Sequence, residues 1–165
     1  MPTIEARATV VVDPEIAFAI SQTHGELRLR WDRFIRAERL LDGARQQARG
    51  VKAWTRHRWG MSMTSECVSF HPPTHTGMQM LDGPWFFERF AGGWRFKPAP
   101  DGGTEVVWRY NFACRPAWIA PVAERIGTLV LRREIRARVA GFAAGCADPV
   151  LVDAVRAHET EHDPR

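Results

Sequence analysis

At 165 residues the chain has the length of one domain, enough to bury a core without disulfide or metal staples. Its hydrophobic share of 45% and charged share of 25% are those of an ordinary globular protein, which excludes a disordered or fibrous class. The net charge of +4 comes almost wholly from arginines scattered among acids, with Lys52 and Lys97 the only lysines, so no nucleic-acid groove is expected.

In chain order, residues 3–12 place Ile4, Ala6, Ala8, Val10 and Val12 on one face, the alternation of a strand covered on one side. Asp13-Pro14-Glu15 then reads as a helix start: Asp13 caps, Pro14 suits the first helical position and Glu15 meets the positive end of the helix dipole. This short helix runs to Ile20, and a second is expected near 26–32. From 34 to 114 six strands are separated by turn signals: 34–41, 51–59, 63–70, 76–81, 87–97 and 104–114, an antiparallel meander.

The period then changes to that of a helix over 117–144. Its apolar face is read as Ile119, Val122, Ile126 and Val130 followed by Leu131, Ile135, Val139 and Phe142. The solvent face is read as Glu124, Arg125, Arg132, Arg133, Glu134, Arg136 and Arg138, and Gly141, Gly145 and Asp148-Pro149 as its end. Residues 1–147 form one domain on this reading, and 148–165 a polar tail, exposed or frayed. No apolar run reaches the roughly 18 residues of a membrane span, and no signal-peptide pattern opens the chain, so a cytoplasmic location is expected. Cys67, Cys114 and Cys146 are far apart, odd in number and lack a CxxC, which reads as buried thiols.

The element order, Leu81-Asp82-Gly83-Pro84, and Gly93-Trp94-Arg95-Phe96 followed by a Gly-rich turn and Glu105-Val106-Val107-Trp108 resemble the START-like, Bet v 1-like superfamily. Within it they resemble the bacterial polyketide cyclase and coenzyme-Q-binding branch. Trp31-Asp32 is similar to the WD pair of the wider polyketide cyclase group. The resemblance covers roughly residues 3–145 and implies an α+β helix-grip fold: a curved antiparallel sheet of about six to seven strands around a long C-terminal helix, with two short helices after the first strand. It also implies a hydrophobic small-molecule ligand such as a polyketide, quinone or lipid. No cofactor is expected; a homodimer is compatible with the sequence.

Six of the sixteen residues in 81–96 are Trp or Phe, and burying each such ring is worth roughly 1.5–3 kcal/mol. Trp94 and Phe96 share a strand face with Phe90 and are expected to pack on the long helix. Trp85, Phe86 and Phe87 follow a proline turn where such folds have their cavity mouth. The expected ligand-binding residues are Trp59, Met78, Met80, Trp85, Phe87, Phe90 and Tyr110; methionine suits an adaptable pocket, and a buried Tyr110 hydroxyl needs a partner, such as a ligand oxygen.

If the chain is an enzyme, an aromatase or cyclase acting on a polyketide chain, His57 is the first acid/base candidate. Arg109 would then be an oxyanion or enolate stabiliser, and Glu66 a lesser candidate. A third reading is an interaction protein docking through Arg132, Arg133, Arg136 and Arg138, against which the same residues read as a solvated helix face. His158-Glu159-Thr160-Glu161-His162 matches HExxH, but a polar segment with no downstream third ligand is not expected to be a zinc site, so no metal residues are assigned.

Overall fold

The computed structural model describes residues 2–162, with side chains through residue 157. The elements are β1 (Thr3–Val10), α1 (Pro14–Ser21), α2 (Gly25–Trp31), β2 (Ile35–Leu40), β3 (Lys52–His57), β4 (Ser62–His71), β5 (His75–Asp82), β6 (Phe87–Pro98), β7 (Thr104–Cys114), α3 (Ala120–Cys146) and α4 (Pro149–His162). The seven strands form one antiparallel sheet in the order β1-β7-β6-β5-β4-β3-β2. Six strands thus run as a meander, and β1 closes beside the last of them. This is the helix-grip α+β fold, with α3 against the sheet.

Local chemistry sets the element boundaries as the sequence leads one to expect. Asp13 caps α1 by accepting the Ile16 N–H at 2.9 Å, and Pro14 opens the helix. In β7 burial alternates residue by residue, with Val106, Trp108, Tyr110, Phe112 and Cys114 inward. The core is an aromatic stack: Trp94 lies 4.6 Å from both Trp108 and Phe142 by ring centroids, and Trp31 lies 5.0 Å from Phe142. Trp94 and Phe96 are therefore core residues, as expected. All three cysteines are buried and free.

Three expectations are corrected. First, α3 does not have a single apolar face. At about 100° per residue, Ile119, Val122, Ile126 and Val130 point nearly opposite to Leu131, Ile135, Val139 and Phe142. Only the second run enters the core; Val122, Ile126 and Val130 are exposed. Second, Glu134 and Arg138 share the buried face with Ile135 and Val139, so they are not part of a solvated one. Third, Gly141 and Gly145 lie inside α3 rather than ending it. A Cβ at Gly141 would sit 2.7 Å from the Trp31 carbonyl oxygen, and one at Gly145 would sit 2.7 Å from the Trp31 side chain, so glycine there lets α3 close onto α2.

The segment after α3 is likewise not a frayed tail through its described residues. It forms α4, which packs on α1, and Leu151 and Val155 are buried at helical spacing in the core. Leu151 and Val155, one turn apart, with the partly buried Val152 beside them, dock it despite the polar residues around them. The side chains of the HExxH match lie outside the described residues.

Candidate ligand-binding site

Between the sheet and the N-terminal half of α3 lies a cavity of about 560 Å³. Strand register orders its wall. One rung joins Thr76, Trp94 and Trp108; the next runs through Met78, Gly92 and Tyr110; Ser65 pairs with Met80 and Ala53; Phe87 pairs with Cys114. All of these line the cavity, and α3 supplies Ala123, Ile126, Gly127, Val130 and Leu131 opposite. The surface is mostly aromatic, methionine and aliphatic. Such a wall favours an apolar occupant.

The structure brings together most of the predicted residues. Trp59, Met78, Met80, Phe87, Phe90 and Tyr110 all line the cavity, as do Phe86 and His57. Trp85 does not: it stands 69% exposed, its backbone carbonyl held by the Arg115 side chain. Arg109 is also elsewhere. It faces outward from β7 between the inward Trp108 and Tyr110, and its guanidinium pairs with Glu5 at 2.9 Å. The alternation of a strand forbids it from reaching the side that its neighbours face. Glu66 is not part of the cavity wall either.

The Tyr110 hydroxyl has a protein partner in place of the ligand oxygen expected for it. It accepts a hydrogen bond from Arg138 Nη1 at 2.6 Å. Arg138 Nη2 donates to Asp32 at 2.7 Å, and Arg28 Nη2 reaches the same carboxylate at 2.9 Å. The Arg138 guanidinium also lies over the rings of Trp108 and Phe34, at 4.5 and 4.9 Å. Burial alone would raise the Asp32 carboxyl, but the guanidiniums of Arg138 and Arg28 outweigh it and hold the carboxyl below its ordinary value. This network clamps α2, β7 and α3 together at the cavity wall.

A second polar group sits nearer the cavity mouth. His57 Nδ1 accepts the Trp59 backbone N–H at 3.1 Å, so in the neutral ring the proton is on Nε2. That atom faces Glu134 Oε2 at 3.8 Å, while Glu134 Oε1 accepts from Arg58 at 2.6 Å. The carboxylate is 5% exposed, and Phe34 packs edge-on to the imidazole at 4.4 Å. Burial lowers the His57 pKa against the opposing pull of Glu134, with Arg58 and Arg138 adding to the lowering.

His57 should therefore titrate below its ordinary 6.5, a midpoint readable by NMR of the ring nitrogens. Because the folded value is depressed, the stability linked to His57 is present above the unfolded pKa and is lost as pH falls toward the folded one. Glu134→Gln should move the midpoint lower still, since it removes the one carboxylate that favours the imidazolium. A midpoint at or above 6.5, or no movement in the variant, would contradict this geometry.

Reasoning from the sequence alone did not place Glu134, Arg138 or Asp32 in the site: Asp32 entered only as half of the Trp31-Asp32 pair, and Arg138 as part of an outer, docking or solvated, helix face. One local signal was present, the helical i,i+4 spacing of Arg28 and Asp32, which pair in the structure; the partners of Glu134 and Arg138 are distant in sequence. Among the described residues there is no cluster of His, Cys, Asp or Glu able to hold a metal ion, and no helix is long and apolar enough to cross a membrane.

Solved structures resemble this fold over nearly their full lengths. The protein TTHA0849 from Thermus thermophilus superposes with a TM-score of 0.71 at 14% identity, covering 88% of this chain and 97% of its own. Ara h 8.0201 gives 0.67 at 16% identity, covering 89% and 99%. A START superfamily protein from Mycobacterium smegmatis gives 0.63 at 11% identity, covering 83% and 96%. At such identities the likeness is one of fold alone. No curated protein sequence matches the chain. A sequence profile described as polyketide cyclase/dehydrase and lipid transport matches residues 1–146, and the chain belongs to that family.

Proposed function

We propose that this protein binds a hydrophobic small molecule, a polyketide, quinone or lipid, inside the cavity between its sheet and α3. The observation that carries this reading is the cavity itself: about 560 Å³, within the range of small-molecule sites, and walled by Met78, Met80, Phe87, Phe90 and the apolar side of α3. Methionine side chains can repack around occupants of different outline, which suits a ligand class better than a single rigid compound. Arg138, held by Asp32 and Tyr110, keeps the wall rigid beside that adaptable surface.

A second reading, a cyclase or aromatase, is supported by one specific feature. His57 faces the cavity as a neutral base or acid whose proton-bearing nitrogen points to the buried Glu134. With Nε2–H directed at Glu134, a proton from a polyketide chain folded into the cavity is taken up at Nδ1 in place of the Trp59 N–H, and Glu134 balances the imidazolium that forms. Arg109 has no part in it.

Native mass spectrometry of the purified protein, followed by solvent extraction, tests the binding reading. A co-purified quinone, lipid or polyketide-like mass supports it and names the ligand class. A bare chain that also fails to take up any member of those three classes when they are added would end it. His57→Ala then separates the readings: binding retained with turnover lost marks an enzyme.

A further inference from the structure

We infer that the outer face of α3 and the cavity rim form a docking surface for an anionic lipid bilayer. The apolar stripe Val122, Ile126 and Leu129 lies on the side of α3 opposite the core, with exposures of 62%, 59% and 69%. Trp118, in the turn leading into the helix, is 82% exposed. Ile126 and Val130 belong to both surfaces, since they are exposed and also line the cavity, and Trp59 and Met61 do the same from the β3–β4 hairpin. The Trp85 loop is fastened beside this rim by the Arg115 N–H, which donates to the Phe86 carbonyl at 3.0 Å. The exposed apolar surface thus runs into the cavity mouth without a break. Single exposed apolar residues are ordinary, but a contiguous face with tryptophans at its edge is not.

Charge decides what covers it. Arg125, Arg132, Arg133 and Arg136 are exposed on α3, and none makes an ion pair or hydrogen bond with the described residues. The acids of α3 do not offset them: Glu124 accepts the Cys114 N–H, and Glu134 is buried against Arg58. Arg133 and Arg136 continue the line of Val122, Ile126 and Leu129 toward the C-terminal half, and Arg125 and Arg132 flank it. A second copy of this chain paired about a two-fold axis would bring these like charges together. An anionic bilayer accepts both components, with the apolar stripe and Trp118 at the interface and the guanidiniums among the headgroups. An apolar ligand could then pass between lipid and cavity without crossing water.

The test uses the full chain, without added ligand, in co-sedimentation with vesicles of phosphatidylcholine alone or mixed with phosphatidylglycerol. The result is then independent of what the cavity binds. The expected result is binding to the mixed vesicles that weakens with salt and is far weaker on phosphatidylcholine. Arg132→Gln with Arg133→Gln should weaken it roughly fivefold per arginine, so roughly 25-fold for the pair. Leu129→Asp, at a site outside the core, should abolish it while thermal unfolding stays unchanged. Failure to sediment with the mixed vesicles, or binding indifferent to these substitutions, would overturn the inference. So would a concentration-dependent dimer in analytical ultracentrifugation that Leu129→Asp dissociates, which would assign the face to a second copy.

Discussion

Asp32→Ala is expected to destabilise the protein by about 3–5 kcal/mol, the largest loss at any polar position. The carboxylate is fully buried and balances two guanidiniums, Arg28 and Arg138, at 2.9 and 2.7 Å. Removing it strands both charges, one of them over Trp108 and Phe34 in the core. The coupled substitution Asp32→Asn with Arg138→Met should be less damaging than Asp32→Ala, because it removes a charge from each side of the network. The pH dependence has a definite sign. The Asp32 carboxyl is depressed in the folded state, so its contribution is whole above the unfolded value near 3.8 and is lost as pH falls through the folded one. Chemical denaturation of the three proteins between pH 7 and 3 checks both statements. A single variant within about 0.5 kcal/mol of wild type would show that the network is not stabilising.

Trp94→Ala should cost a further about 3–5 kcal/mol by opening a void among Trp31, Trp108 and Phe142. Trp85→Ala, nine residues earlier in the same aromatic run, should change stability by no more than about 0.5 kcal/mol. The two rings differ in surroundings, not in kind: Trp94 is 2% exposed and Trp85 is 69% exposed. Equal losses in urea denaturation would contradict the placement of Trp85 on the rim. Phe87→Ala should fall between them, since Phe87 is half-buried, touches Phe90 and Phe112, and lines the cavity.

Strand alternation and turn chemistry made the sheet legible in the sequence, because each inward residue is two positions from the next and each turn carries Gly, Pro or Asp. The same rule identified Trp94, Phe96, Met78, Met80 and Tyr110 as inward. The catalytic role expected for Arg109 ran against the same rule, since a position next to Trp108 and Tyr110 must face outward. The long helix misled for another reason. Two apolar runs in one helix, nearly opposite in direction, look continuous along the chain and separate only when each is projected around the axis. Buried charge was hidden as well. Arg138, Glu134 and Asp32 are expensive to bury alone, and nothing local in the sequence shows that they are neighbours in space. The docking of α4 rests on Leu151, Val152 and Val155, too few apolar residues to stand out in a polar segment.

The most direct test of an apolar ligand cavity is fluorescence titration with N-phenyl-1-naphthylamine, comparing the native chain with Met80→Trp and Gln79→Trp. Met80 lines the cavity, whereas Gln79 is exposed on the opposite face of the same strand. Saturable one-to-one binding by the native chain and by Gln79→Trp, lost or sharply weakened in Met80→Trp, is the predicted result. Equal binding by all three folded proteins, or none by the native chain, would contradict a ligand site in this cavity.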